Sequence, residues 1–186
     1  MLVKTYGSAV FGIDATTITI EVNASAGIKF FLVGLPDNAV KESHYRIEAA
    51  LKNTGYRIPG KKFIINMAPA DIRKEGSAYD LPLAIGILAS THQVKAEQLK
   101  DFVIMGELSL DGGLQPIKGA LPIAIQARKE GFKGLIVPKA NAKEAAIVNN
   151  LDVYGIENIK ELIDFLNGKI DLNPLFVDTR KEFFDA

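Results

Sequence analysis

The second half of the chain alternates between short apolar runs and stretches with helical spacing, and few folds accommodate that order. Phe102 to Leu108 reads as a strand and is followed by a Gly112-Gly113 turn and a helix from Ala120 to Glu130. A strand from Gly134 to Val137, a helix from Ala142 to Asn149, a strand from Asp152 to Tyr154 and a helix from Ile159 to Leu166 complete the series. Strands and helices alternating through short connections place helices over a sheet, which predicts an α/β protein. With 186 residues, folding buries about 70% of the extended chain's surface, enough for one sizeable core. The sequence contains no cysteine, so disulfides and thiolate metal sites are excluded.

The first half opens with Thr17 to Val22, which alternates and is rich in β-branched residues, and with the apolar run Lys29 to Val33. A hairpin through Ala24-Ser25-Ala26-Gly27 is expected to join them. Pro36 stops the second run, and Asp37 or Asn38 then offers an oxygen to the free N–H groups of a helix over about 39–53, which Gly55 ends. After the turn Ile58-Pro59-Gly60, Phe63 to Met67 is short, apolar and bounded by breakers, as a buried strand is. A polar loop, 71–79, leads to a strongly apolar helix over 80–92, in which Leu83, Ala84, Ile87 and Leu88 recur at helical spacing; it is expected at the centre of the fold. Periodicity is lost from about Gly168. Residues 1–170 are therefore read as one domain and 171–186 as a linker towards a segment beyond Ala186.

Lys and Arg total 22, as do Asp and Glu, so no global basic field draws the chain to nucleic acid. The basic residues Lys41, Arg46, Lys52, Arg57, Lys61, Lys62, Arg73 and Lys74 nonetheless fall in the first half, and acids weight the end. The first residues lack a signal peptide's pattern, and no stretch approaches the ~20 apolar residues of a membrane span. A soluble, cytoplasmic protein without membrane contact is expected.

Three chemistries fail or remain open on the residues alone. Gly55 to Lys61 spells G-x-x-x-x-G-K, but Lys62 stands where a phosphate loop needs a hydroxyl, and the expected order is helix, loop, strand rather than strand, loop, helix. The only histidines, His44 and His92, lie on different predicted helices without supporting metal ligands. Ser77 precedes the buried helix and is a candidate nucleophile, with Lys118 as a candidate base, but both positions equally suit exposed loop residues.

Several ordered blocks carry a family resemblance. Val33-Gly34-Leu35-Pro36-Asp37, Lys41-Glu42-Ser43, Asn66 to Asp71, Gly76 to Ala84 and Gly106 to Gly112 together resemble the N-terminal domain of ComM/YifB-type AAA+ ATPases, which are related to magnesium chelatase. The resemblance covers about residues 1–170. It implies a mixed sheet with helices in the manner of ribosomal protein S5 domain 2, the fold also of the Lon protease catalytic domain. It also implies departures from Lon. Tyr79 or Asp80 falls near the position of the Lon serine, and Leu121 rather than Lys118 falls at that of the Lon lysine. Leucine cannot take a proton, so protease activity is not expected.

What the resemblance further implies is a non-catalytic accessory domain on a homo-oligomeric ring. Its partner is the protein's own ATPase module, where ATP and magnesium bind, and the parent promotes branch migration of DNA during recombination and natural transformation. No cofactor or metal is expected in this segment. If the domain itself touches DNA, Arg57, Lys61, Lys62, Arg73 and Lys74 are the candidates. The rival readings are a serine hydrolase using Ser77 and Lys118, and a self-association module.

Overall fold

The structure, a computed structural model, describes residues 1–178. Its first element is one that alternation alone did not reveal. Strand β1 (Leu2–Phe11) runs straight into β2 (Asp14–Ser25) through the two-residue turn Gly12-Ile13, where Gly12 takes φ +63°. The two pair antiparallel from Leu2↔Asn23 to Phe11↔Asp14. Strand β3 (Phe30–Val33), helices α1 (Asn38–Lys41) and α2 (Ser43–Asn53) and strand β4 (Lys62–Ala68) follow. The sheet order is β1-β2-β4-β3, with β4 antiparallel to β2 and parallel to β3.

This order corrects the expected hairpin through 24–27. With β1 on one edge of β2 and β4 on the other, β3 has no free edge there and pairs instead with β4, after the α1–α2 crossover that a parallel pair requires. The single helix expected over 39–53 is two, broken at Glu42. Its N-terminal cap is as expected: Asp37 Oδ1 accepts from the Val40 N–H at 2.8 Å.

Helix α3 (Asp80–Ser90) is buried along its entire length. It lies on β1 and β2 so closely that a Cβ on Gly86 would stand 2.6 Å from Val22 Cγ2. A helix apolar on every side belongs at the centre of a fold, and here it does. The segment expected as one strand over 102–108 is divided into β5 (Phe102–Ile104) and β6 (Glu107–Leu108). Between them the backbone turns to α3 and the preceding loop, Gly106 N–H donating to Ala78 O and Gly106 O accepting from Leu81 N–H.

Strand β7 (Leu114–Gln115) closes a short hairpin with β6. Then come α4 (Ala120–Lys129), β8 (Gly134–Pro138), α5 (Lys139–Ala145), β9 (Asp152–Ile156) and α6 (Ile159–Leu166). β5, β8 and β9 form a wholly parallel sheet. Helix α5 begins three residues earlier than expected and ends at Ala145, so Ala146 to Asn149 lies outside it. Asn158 caps α6 with a reciprocal box: its side chain accepts from Lys160 N–H while Glu161 Oε1 accepts from Asn158 N–H.

The protein is thus a mixed α/β fold. Among the described residues no helix is long and apolar enough to cross a membrane. Of the linker expected over 171–186, residues 171–178 carry no helix or strand, and 179–186 lie outside the described residues.

Candidate functional site

The loop before α3 and the loop before α4 face one another across a cleft. The first wall is assembled from buried polar contacts. Gly34, at φ +108°, lets the chain pass β4 so closely that any Cβ would stand 2.3 Å from Met67 O. Beside it, the Lys74 side chain is wholly buried and donates from Nζ to the carbonyl oxygens of Gly34 and Pro69. Burial holds its ammonium below the usual lysine range, against the opposing pull of Asp71. Asp37 ties the two loops together, since Oδ2 accepts from Gly76 N–H at 3.0 Å while Oδ1 caps α1.

At the end of this wall, Asp80 is buried and receives Arg46 in a two-pronged pair. Arg46 Nε donates to Oδ2 at 2.7 Å and Nη2 to Oδ1 at 2.9 Å, and Leu108 N–H adds a third bond to Oδ2 at 3.0 Å. Burial pushes the Asp80 carboxyl up to about 6, against the pull of Arg46 and the Leu108 N–H. The same pair, chiefly through its hydrogen bond, raises the Arg46 guanidinium. Tyr79, beside it, is only 2% exposed, and burial is the main cause that raises its phenol.

The second wall is held by neutral groups. Asn141 is buried and bonds Ile117 twice, its Oδ1 accepting from Ile117 N–H and its Nδ2 donating to Ile117 O, both at 2.9 Å. Gly119, at φ +78°, abuts Val10 of β1, where a Cβ would meet Val10 Cγ1 at 2.8 Å. Leu121, half-buried, donates its N–H to Glu144 Oε1 at 3.3 Å.

Between the walls lies a cavity of ≈550 Å³, and both Ser77 and Lys118 line it. The structure therefore brings the candidate nucleophile and base to one cavity but leaves them unbonded: among the described residues no hydrogen bond joins the Ser77 hydroxyl to the Lys118 amine. Lys118 is exposed and Ser77 half-buried. A lysine base needs a desolvated amine in hydrogen-bond reach of its serine, and neither condition is met here. Of the residues that the Lon resemblance aligns, Tyr79 is a buried phenol, Asp80 a carboxylate engaged by a guanidinium, and Leu121 a hydrocarbon side chain.

The other candidates separate. Arg57 and Lys61 are exposed in the loop before β4, and Lys62 Nζ lies 5.9 Å from the Phe31 ring centroid. Arg73 sits beyond the opposite end of β4, seven residues away at ~3.3 Å each, where it pairs with Glu75 at 3.0 Å. Lys74 has to be removed from the DNA candidates, because a side chain buried under two carbonyls presents no charge to a phosphate. His44 stacks on Phe30 at 4.2 Å, and among the described residues no group of potential metal ligands comes together. The turn Gly60-Lys61-Lys62 enters a strand, the wrong order for a phosphate loop.

Sequence reading passed over Arg46 and Asn141 as site residues. The one available signal was Asp80, a lone carboxylate heading an otherwise apolar helix, which requires a buried partner from elsewhere.

The family described as subunit ChlI of Mg-chelatase matches residues 20–141. Competence protein ComM of Haemophilus influenzae is 42% identical over 178 residues, which cover 95% of this chain and 35% of that protein. The uncharacterized protein YifB of Escherichia coli is 41% identical over 162 residues, or 87% of this chain and 32% of that one. Lon protease 2 of Bacillus subtilis is a more distant relative, 25% identical over 147 residues and 76% of this chain. The chain spans about a third of the length of ComM and YifB. It belongs to the Mg-chelatase ChlI-related family that includes ComM and YifB.

Proposed function

We propose that this segment is a non-catalytic accessory domain of a ComM/YifB-type AAA+ ATPase and that it stacks on the motor ring. The observation that carries the reading is the state of the residues aligned with the Lon dyad: of Tyr79 and Asp80, the first keeps its proton and the second is locked to Arg46, and Leu121 offers no proton acceptor. A cleft without an activated nucleophile serves binding or assembly. In this reading the parent works in the cytoplasm as a homo-oligomeric ring that drives branch migration of DNA, with ATP and magnesium held in its ATPase module. The name of the Haemophilus relative, a competence protein, supports the link to DNA uptake and recombination.

The DNA contacts, in the same reading, are Arg57, Lys61 and Lys62 at one end of β4, with Arg73 apart from them. Lysine and arginine there neutralise phosphates without reading bases, so binding weakens steeply with salt. The test has two arms. A salt titration with single- and double-stranded DNA should show affinity lost when Lys61 and Lys62 are both changed to Glu, and indifference to that reversal removes the DNA contact. A fluorophosphonate probe should leave the chain unlabelled; labelling that disappears in Ser77→Ala would establish the serine hydrolase instead.

A further inference from the structure

Tyr79 is buried to all but 2% of its surface, yet its hydroxyl makes no hydrogen bond among the described residues. The ring is fixed against β1: the place a Cβ would take on Gly7 is 3.4 and 3.5 Å from two of its carbons. The residue lines the ≈550 Å³ cavity. The hydroxyl is not one of the enclosed polar atoms that lack a partner, which among the described residues are Ser43 Oγ and Asp164 Oδ1, so it opens on the cavity and keeps its donor for what enters.

Three carboxylates, Asp37, Glu75 and Glu107, line the same cavity against one ammonium, Lys118. Asp37 is saturated by two backbone N–H groups, and Glu75 pairs with Arg73 at the surface. The Glu107 carboxylate accepts no hydrogen bond among the described residues. Asp37 and Glu75 add to burial in raising the Tyr79 phenol, which means that the field at its oxygen is negative and that it keeps its proton. The cleft therefore offers a hydrogen-bond donor in a field that attracts positive charge.

We propose that the cleft binds, without cleaving it, a cationic group that carries a carbonyl beside it: the chemistry of an arginine or lysine residue, presented on an extended peptide. Tyr79 donates to a carbonyl and Glu107 faces the cation, and the acidic lining favours a residue within a peptide over a free amino acid, whose carboxylate it would repel. The cavity falls within the ~300–1,000 Å³ of ordinary ligand sites. The inference rests on the reading of the cleft as lacking an activated nucleophile, and the experiment keeps the two apart.

The probes are fluorescein-labelled acetyl-Ala-Ala-Arg-Ala-Ala-amide, the same peptide with Glu for Arg, and N-acetylarginine amide, each titrated into the whole chain. The arginine peptide should bind saturably and roughly tenfold more tightly than the glutamate one. Tyr79→Phe keeps the ring on Gly7 and should weaken binding about fivefold, the effect of one hydrogen bond. Glu107→Gln should weaken it further, and thermal melts show whether either variant is folded. Recovery of the peptide intact is expected. Its cleavage would sink the non-catalytic reading while leaving the binding site in place. Lack of saturable binding by all three probes overturns the site, as does unchanged affinity in both folded variants. N-acetylarginine amide binding as tightly as the peptide overturns the peptide as ligand.

Discussion

The two walls of the cleft are built by different physics. The wall before α3 is braced by buried charge: Lys74 under two carbonyls, Asp37 across two N–H groups, and Asp80 gripped by Arg46. The wall before α4 is closed by a neutral pair of buried bonds, Asn141 on Ile117, with the Glu144 carboxylate accepting only at its exposed rim and Lys118 left in solvent. A buried charge can perform chemistry only if it is free to exchange a proton or meet a substrate. On the first wall both Lys74 and Asp80 are engaged in holding the backbone, and on the second the free amine is hydrated. The difference teaches that burial and charge do not by themselves mark a reactive group; what counts is whether the charged atoms still have hydrogen-bonding capacity to spare.

The strongest way to break this comparison is Arg46→Met. It strands Asp80 without its counter-charge, and a buried carboxylate left unpaired should cost ~3–5 kcal/mol in urea denaturation. The pH dependence gives the loss a signature. The Asp80 carboxyl is raised from 3.8 to about 6 in the folded protein, so folding favours its protonated form, and this group's contribution declines as pH rises through that window. Without Arg46 the folded value climbs further. The deficit of the variant should therefore be larger at pH 8 than at pH 5, and an equal deficit at both would show that Asp80 does not depend on Arg46 for its charge.

Asn141→Ala probes the other wall. It leaves the buried N–H and C=O of Ile117 without partners, for a loss of ~2–3 kcal/mol. No titrating group is involved, so the loss should be the same at pH 5 and pH 8. A loss that varied with pH would mean that charge braces this wall as well.

The same contrast explains how much of the molecule could be read from its sequence. Helix α3 was legible because its apolar residues surround the axis, and Asp37 was legible as a cap because capping is local. The order of strands in the first half was not. Alternation in 17–22 says that β2 has one buried face but not which neighbour it meets, and the Gly12-Ile13 turn supplied β1 as a partner that 24–27 could not displace. In the cleft, Ser77 and Lys118 were singled out as a candidate nucleophile and base, and the fold places both on one cavity without a bond between them. Lys74 was grouped with surface cations because sequence shows charge and not depth. The Arg46–Asp80 pair joins residues 34 apart, and only the packing of α2 against α3 makes it.

The smallest effect sharpens the comparison most. Lys118 is exposed and makes no ion pair among the described residues, so Lys118→Ala should change stability by less than about 0.5 kcal/mol, as surface substitutions do. Lys74→Ala, one wall away, removes a buried donor from two carbonyls and should cost several times more, ~1–3 kcal/mol. The two lysines would then differ in energetic weight, one buried under two carbonyls and the other in solvent. If instead Lys118→Ala destabilised the protein as much as Lys74→Ala, its amine would have to be engaged in the folded protein, and the second wall would owe its shape to a charge after all.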